Sequence, residues 1–316
     1  MRAALALGER GRGRTAPNPH VGCILVQGGV VVGRGWTAPG GRPHAEAAAL
    51  AQAGDGARGA TAYTTLEPCA HESARGPTCA ASLAEAGVTR VVAALTDPDP
   101  RTAGRGFAHL REAGVEVVTG VLEAEAKRAH AGFISRVTRG RPRVTLKLAQ
   151  TIDGRIATAS GESRWITGPE ARRHVHWERA HTDAILVGRG TFEADAPRLD
   201  VRIEGLEDRS PRRVLLTSGE ALEGWTTLPS PEAIGTLHDV NDLFVEGGAE
   251  TATAFLSADL VDRLLIYTAP ILVGGGKPAI GDLGLSALAD AHGRWTPSGS
   301  RVLGPDRLDI YERLRD

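Results

Sequence analysis

One imidazole and two thiols, His44, Cys69 and Cys79, stand with a carboxylate, Glu46, in the segments Pro43-His44-Ala45-Glu46, Pro68-Cys69 and Thr78-Cys79. A chain carrying this set has to fold so that turns from separate elements converge on one point. Three nitrogen and sulfur donors fill only part of the tetrahedron that Zn²⁺ prefers. The open fourth corner is the mark of a catalytic site and not of a structural one. Water held there can have its pKa lowered from about 16 toward roughly 7, which makes hydroxide available at neutral pH. Glu46 follows the histidine by two residues, so it need not bind metal and can carry the water's proton to a leaving amine. The segment between Cys69 and Cys79 must leave the metal and return, and His71 within it is a competing donor.

The first half alternates strand and helix signals. Val21 to Val26 and Val30 to Trp36 read as a hairpin about Gly28-Gly29. Strands are expected at Thr61 to Leu66, Arg90 to Leu95 and Val115 to Val118. Helices are expected at His44 to Ala53, Thr78 to Ala86 and Gly106 to Ala113, each stopped by a glycine. That alternation predicts a largely parallel sheet with helices on its faces. On this map His44 and Glu46 open one helix and Cys79 opens the next. Two positive helix ends then meet at the metal, which favours thiolate over thiol. A helix over Glu123 to Arg139 leads to Gly140-Arg141-Pro142, the expected boundary between domains 1–140 and 141–316. Cys23, inside a β-rich run, reads as a small buried hydrophobe.

The second half is again α/β. Strands are expected at Val144 to Leu148, Ala184 to Val187, Arg213 to Thr217, Leu243 to Val245 and Leu264 to Ala269, with helices at Pro169 to Ala180 and Thr251 to Leu260. Glu246-Gly247-Gly248 follows a strand and opens a helix, where backbone N–H groups can approach phosphates. The GxGxxG spacing is missing, so a nucleotide would have to bind through a fold other than the Rossmann type.

Bulk properties limit the partners. The 316 residues suffice for about two domains. The 37 basic and 38 acidic residues nearly cancel, which argues against a polynucleotide ligand. The arginines around positions 10–14 and 139–143 read as solvated loop and linker. Three cysteines are too few and too odd in number for a disulfide framework. No apolar run approaches the ~20 residues of a membrane span. Met1 to Leu7 is too short for a signal-peptide core and reads as a short helix. A cytoplasmic enzyme is expected.

The His-x-Glu, Pro-Cys and Cys pattern matches the signature of zinc nucleobase deaminases. Over nearly its whole length the chain also resembles the bifunctional riboflavin-biosynthesis deaminase–reductase family. In the first half the resemblance rests on Thr15-Ala16-Pro17-Asn18-Pro19-His20-Val21-Gly22-Cys23, Pro43-His44-Ala45-Glu46 and Leu66-Glu67-Pro68-Cys69-Ala70-His71 with Cys79. In the second it rests on Leu146-Lys147-Leu148-Ala149, Asp153-Gly154-Arg155, Ser160 through Thr167, Ala194-Asp195-Ala196-Pro197 with Leu199 and Arg202, and Val245-Glu246-Gly247-Gly248. Ala196 and Asp200 stand where family members often carry Asp and Thr.

The resemblance implies a cytidine-deaminase-like αβα sandwich followed by a dihydrofolate-reductase-like α/β domain. It implies two consecutive reactions on one phosphoribosylaminopyrimidine: zinc-dependent hydrolytic deamination, then NADPH-dependent reduction of the ribosyl side chain to ribityl. His44, Cys69 and Cys79 match the zinc ligands, and Glu46 the proton shuttle. Asn18, His71 and Arg75 match positions that hold the deaminase substrate. Lys147, Ser163, Arg179, Leu199, Arg202 and Glu246 match reductase substrate positions, and Arg179 and Arg202 can offer bidentate donors to a 5′-phosphate. Ala149, Trp165, Thr191, Asp195, Ser218 and the run Gly248, Ala249, Glu250, Thr251, Ala252, Thr253 and Ala254 match NADP-binding positions. A homo-oligomer without nucleic-acid or membrane partners is implied. Two rival readings are a base or tRNA deaminase with a non-catalytic second domain, and a zinc-stabilised regulator without turnover.

Overall fold

A computed structural model of the chain describes residues 1–71 and 76–315. It separates into two compact units, Met1–Gly140 and Arg141–Asp316.

The first unit runs α1 (Arg2–Gly8), β1 (Gly22–Gln27), β2 (Val30–Trp36), α2 (Ala45–Ala53), β3 (Thr61–Thr64), α3 (Cys79–Glu85), β4 (Arg90–Ala93), α4 (Arg105–Glu112), β5 (Glu116–Val118), α5 (Glu123–Ala129) and α6 (Ala131–Arg139). Among the described residues its strands form one sheet in the order β2-β1-β3-β4-β5. The expected hairpin forms: β1 lies antiparallel to β2 and also to β3, while β3, β4 and β5 are parallel. Gly28 and Gly29 close the hairpin with φ of 56° and 80°, as the commonest two-residue hairpin turn demands.

Helix α2 is Ala-rich for a packing reason. Gly33 and Gly35 lie on one face of β2, two residues apart. A Cβ added to Gly35 would stand 2.0 Å from the Ala45 carbonyl oxygen, and one on Gly33 would stand 2.2 Å from that of Ala49. The helix backbone therefore rests directly on the strand, with Ala45 and Ala49 fully buried between them. This seat fixes the height of His44 and Glu46 above the sheet.

The helix expected over Glu123 to Arg139 is broken at His130, which ends α5 and starts α6. Its imidazole is buried, lies 3.1 Å from the Thr65 hydroxyl and packs on the His20 ring. That buried polar anchorage turns the chain where helical periodicity alone would have continued.

The second unit runs β6 (Arg143–Thr151), β7 (Arg155–Ala157), α7 (Pro169–Arg179), β8 (Ala184–Gly188), α8 (Arg189–Asp195), β9 (Arg212–Leu216), β10 (Thr226–Leu228), β11 (Asp242–Val245), α9 (Ala249–Ser257), β12 (Arg263–Ala269), β13 (Lys277–Pro278), β14 (Trp295–Leu303) and β15 (Asp306–Arg313). Among the described residues the large sheet has the order β10-β9-β8-β11-β6-β12-β15-β14. It is parallel from β10 through β12, and the β14–β15 hairpin extends it antiparallel. Sequence patterning missed α8, β10 and this hairpin. Strand β14 is mostly exposed and polar, so it carries no alternating signal. Helix α9 starts two residues earlier than the apolar pattern suggests, because Gly248 serves as its N-cap.

Replacing Gly35 by Ala is expected to push α2 off β2. Overpacking of this kind costs about 1–3 kcal/mol. Thermal unfolding should show the loss, and zinc content should fall with it, because His44 rides on the same helix.

Candidate functional site

His44 is the N-cap of α2, and Cys79 is the first residue of α3, whose N-cap Thr78 accepts a hydrogen bond from the Ala81 N–H. Cys69 lies in the loop after β3. The three donor atoms fall within 4.8 Å of one another. His44 Nδ1 is 3.3 Å from Cys79 Sγ and 3.6 Å from Cys69 Sγ. Ligand bonds of about 2.0–2.3 Å in a tetrahedron put donor atoms roughly 3.5–3.8 Å apart, so the triad has the size that zinc requires. The Cys79 N–H also points at Cys69 Sγ, 3.4 Å away. Hydrogen bonds from Cys79 and His44 outweigh burial and hold the Cys69 thiol down to about 4, so Cys69 is a thiolate.

Glu46 is buried beside this triad, and the Thr64 hydroxyl donates to its Oε1 over 3.3 Å. Burial raises its pKa above the ordinary carboxylate value, against the pull of His44. Disfavouring the anion in this way makes the carboxylate a better proton acceptor than an ordinary one. Cys23 is fully buried in the core, and burial raises its thiol well above the usual range. It is chemically silent.

The other residues expected around the deaminase site divide. Asn18 packs its amide against Gly41, where a Cβ would stand 1.9 Å from Asn18 Nδ2, on the loop that leads to His44. His71 lies 3.3 Å from the Thr102 hydroxyl and outside the metal-sized cluster. Arg75 lies outside the described residues.

In the second unit a cleft of about 1670 Å³ opens along the carboxyl ends of the parallel strands. Lys147, Ala149, Ser163, Trp165, Arg179, Thr191, Asp195, Leu199, Arg202, Ser218, Glu246, Gly248, Ala249, Glu250, Thr251 and Ala254 all line it. Ala252 and Thr253 do not. Ala252 is buried in the core, and the Thr253 hydroxyl is spent on the Ala249 carbonyl and the Gly281 N–H.

A buried ion pair sits at the floor of the cleft. Arg179 Nε and Nη2 donate to Glu246 Oε1 and Oε2 at 2.6 and 3.0 Å, and Arg179 Nη1 donates to the Asp200 carbonyl at 3.0 Å. Lys147 Nζ lies 3.7 Å from Glu246 Oε2. Burial would raise the Glu246 pKa, but Arg179 and Lys147 overcome it and hold the group at about 2. Glu246 is an anion at any working pH. The bidentate fork of Arg179 is thus committed inside the protein, contrary to its expected use on a phosphate. Arg202 is different: its side chain is 61% exposed and pairs with the Asp200 carboxylate, at 3.4 Å from Nε.

Trp165 stands 66% exposed on the cleft wall with the Arg172 guanidinium 4.7 Å from its ring centre. Asp195 holds Arg164 at 2.8 Å. The Gly248 N–H donates to the Thr191 hydroxyl at 3.0 Å, which ties the start of α9 to α8.

Residues 1–95 match the cytidine and deoxycytidylate deaminase zinc-binding region, and residues 142–308 match the RibD C-terminal domain. The chain is 40% identical to the riboflavin biosynthesis protein RibD of Escherichia coli, over 97% of this chain and 96% of that one. It is 40% identical to the RibD of Mycobacterium tuberculosis, over 94% and 91%. Among solved structures, Acinetobacter baumannii RibD superposes with a TM-score of 0.90 at 35% identity, covering 99% of this chain and 98% of that one. The diaminohydroxyphosphoribosylaminopyrimidine deaminase/5-amino-6-(5-phosphoribosylamino)uracil reductase of Thermotoga maritima gives 0.87 at 30% identity, covering 99% and 97%. The chain belongs to the RibD family. It is a bifunctional deaminase and reductase of riboflavin biosynthesis, with a zinc-binding deaminase region ahead of a reductase domain.

Sequence reasoning did not find the second wall of the deaminase site. Glu67 is buried, and it accepts the N–H groups of Asp97 (3.1 Å) and Gly104 (3.0 Å) on Oε2 and those of Gly106 (2.9 Å) and Phe107 (3.2 Å) on Oε1. It thereby clamps the loop after β4 beside Cys69. That loop brings Thr102 to His71, and it holds Asp99 paired to Arg101. The signal available was Asp97-Pro98-Asp99-Pro100 directly after a strand, which reads as an ordinary turn.

Asp97 is raised from 3.8 to about 7, first by burial and then by Asp99 and Glu67, although the Asp99 N–H opposes the shift. Its folded pKa is above its unfolded one, so the folded state binds more protons between those values. Stability therefore falls as pH rises from about 4 to about 7. Asp97→Asn keeps an oxygen for the Asp99 N–H and removes the charge. The variant should melt above wild type at pH 8, and the gap should shrink toward pH 4 in paired thermal scans. A gap independent of pH would contradict this origin.

Proposed function

We propose that residues 1–140 deaminate a diaminohydroxyphosphoribosylaminopyrimidine and that residues 141–316 reduce the ribosyl chain of the product to ribityl with NADPH. The observation that carries this reading is the meeting of His44, Cys69 and Cys79 at zinc-binding distances beside the buried carboxyl group of Glu46.

His44, Cys69 and Cys79 would hold the zinc ion, which would supply acidification of a water. Glu46 would take one proton as the water oxygen bonds to the amino-bearing carbon and pass it to the ring nitrogen of the C=N bond that opens, then move the new hydroxyl's proton to the amino nitrogen. Ammonia leaves, and a carbonyl oxygen stands in its place. The Thr64 hydroxyl on Oε1 orients the carboxyl group for both transfers. Asn18, His71 and Arg75 hold the pyrimidine and its phosphoribosyl chain. The packing of the Asn18 amide against Gly41 of the His44 loop and the bond of His71 to Thr102 support that role for the first two.

In the second unit NADPH supplies the hydride for the ribose C1′. Gly248 to Thr251, Ala254 and Thr191 receive its phosphates and ribose, while Ala149, Trp165, Asp195 and Ser218 line the remainder of its bed. Ala252 and Thr253 support the helix from behind. Glu246, fixed as an anion by Arg179, holds the Lys147 ammonium toward the substrate, where it can give a proton as the sugar ring opens. Ser163 and Leu199 border the same space. Arg202 takes the 5′-phosphate, because its guanidinium is the accessible one.

The nearly balanced charge supports a small-molecule substrate over nucleic acid. Among the described residues no helix is long and apolar enough to cross a membrane, and a cytoplasmic location fits the cysteine content. The exposed edge strand β14, with Val302 81% exposed, supports a homo-oligomer.

Purified protein given the pyrimidine substrate and NADPH should release ammonia and oxidise the cofactor in sequence. Glu46→Gln should keep its zinc and lose about 10²–10⁴-fold in ammonia release. Near wild-type release would remove Glu46 from the mechanism. Arg202→Ala should raise the reductase KM about 10–100-fold, the size of one charge-assisted contact, with kcat little changed. An unchanged KM would send the phosphate elsewhere.

A further inference from the structure

Resting on the NADPH reading above, we infer that Arg189, a residue outside the family-derived site, binds the 2′-phosphate of the cofactor and so sets the preference for NADPH over NADH.

Strands β8 and β9 are parallel, with Gly188 paired to Leu216, so the residues after each leave the sheet side by side. Arg189 follows β8, and Thr217-Ser218-Gly219 follow β9; all four line the cleft. The Arg189 side chain is 31% exposed and is held at two points. Nε donates to the Thr217 hydroxyl at 3.2 Å and Nη2 to the Glu220 carbonyl at 2.8 Å. These bonds orient the guanidinium over the turn, and Nη1 has no protein partner among the described residues. A Cβ built on Gly219 would lie 3.4 Å from Nη2, so a side chain at that position would crowd the guanidinium.

The hydroxyls around the guanidinium suit an anion. Thr217 Oγ1 accepts from Arg189 and from the Gly219 N–H, which leaves its own O–H as a donor. Ser218 lies between them and lines the cleft. A guanidinium and two hydroxyls on one turn are the donor set of a phosphomonoester dianion.

Five other cations of the cleft lie beside carboxylates. Lys147 and Arg179 face Glu246, Arg164 pairs with Asp195, and Arg202 and Arg198 pair with Asp200. Glu193 stands 3.9 Å from Arg189 Nε, but its side chain is 64% exposed and water screens it.

Position agrees as well. The glycines that open α9 follow β11, and β8 lies between β11 and β9 in the sheet. The β9 turn is therefore two strand spacings, about 10 Å, from the start of α9. A dinucleotide whose pyrophosphate rests on α9 carries its adenosine ribose toward Arg189.

The test compares 2′,5′-ADP with 5′-ADP, which differ only in the 2′-phosphate, by titration calorimetry on the full-length zinc-loaded protein. Wild type should bind 2′,5′-ADP more tightly. Arg189→Ala should weaken 2′,5′-ADP about 10–100-fold, the effect of one charge-assisted contact, and change 5′-ADP less than about threefold. Arg189→Lys, which keeps the charge and loses the planar fork, should fall between. If wild type prefers 2′,5′-ADP and Arg189→Ala keeps that preference, the cofactor site stands and the role of Arg189 is wrong. Equal weakening of both nucleotides would make Arg189 a brace for the turn and also overturn the inference. If wild type binds neither NADPH nor 2′,5′-ADP, the cofactor reading fails and takes this inference with it.

Discussion

Parallel strands that end side by side determine where chemistry can occur in both halves of this chain. In the first, Thr64 of β3 lies opposite Ala93 of β4, so the loops carrying Cys69 and Asp97 leave from one edge. In the second, Gly188 is opposite Leu216 and Leu186 is opposite Val245, so the turns after β8, β9 and β11 emerge together. Loops at the carboxyl edge of such a sheet are where ligands bind in open α/β folds. Register has no slack, since a slip of one residue would turn each buried side chain toward the opposite face. The two reactions share this geometry although the sheets differ in order and size.

Three buried glutamates illustrate how surroundings assign a role to one side chain. Glu67 faces four backbone N–H groups and serves as a structural clamp. Glu246 faces Arg179 and Lys147, and those charges keep it ionised despite burial. Glu46 has His44 and a threonine hydroxyl against nearly complete burial, and burial wins, so its pKa rises. Opposite shifts of one residue type, one from desolvation and one from paired charge, distinguish the proposed proton carrier from the fixed anion.

The zinc donors were legible because few residue types can bind the ion, so their mere presence with a nearby carboxylate narrows the options. The strands of both sheets were legible where alternation or a continuous apolar run marks a buried face, as in Ala184–Gly188 and Asp242–Val245. Glu67 was not, because a carboxylate that bonds to backbone amides leaves no trace in the identity of the residues it holds. The break at His130 was invisible for a related reason: it depends on Thr65 and His20, which are distant in sequence. Helix α8 has no buried residue and therefore no apolar stripe to read. The Arg179–Glu246 pair was not legible either, because residue type shows what an arginine can bind and not which carboxylate the fold sets beside it.

Asp200 shows how a departure from the family pattern can be confined. Its backbone carbonyl holds Arg179 Nη1, a contact that any residue at this position would make. Its carboxylate faces outward to Arg198 at 3.1 Å and Arg202 at 3.4 Å, two arginines that solvent reaches. The change in side chain therefore acts on the outer arginines, where it neutralises part of the charge available to a phosphate, and leaves the Arg179–Glu246 pair intact. Under the role proposed for Arg202, an arriving phosphate has to compete with Asp200 for it.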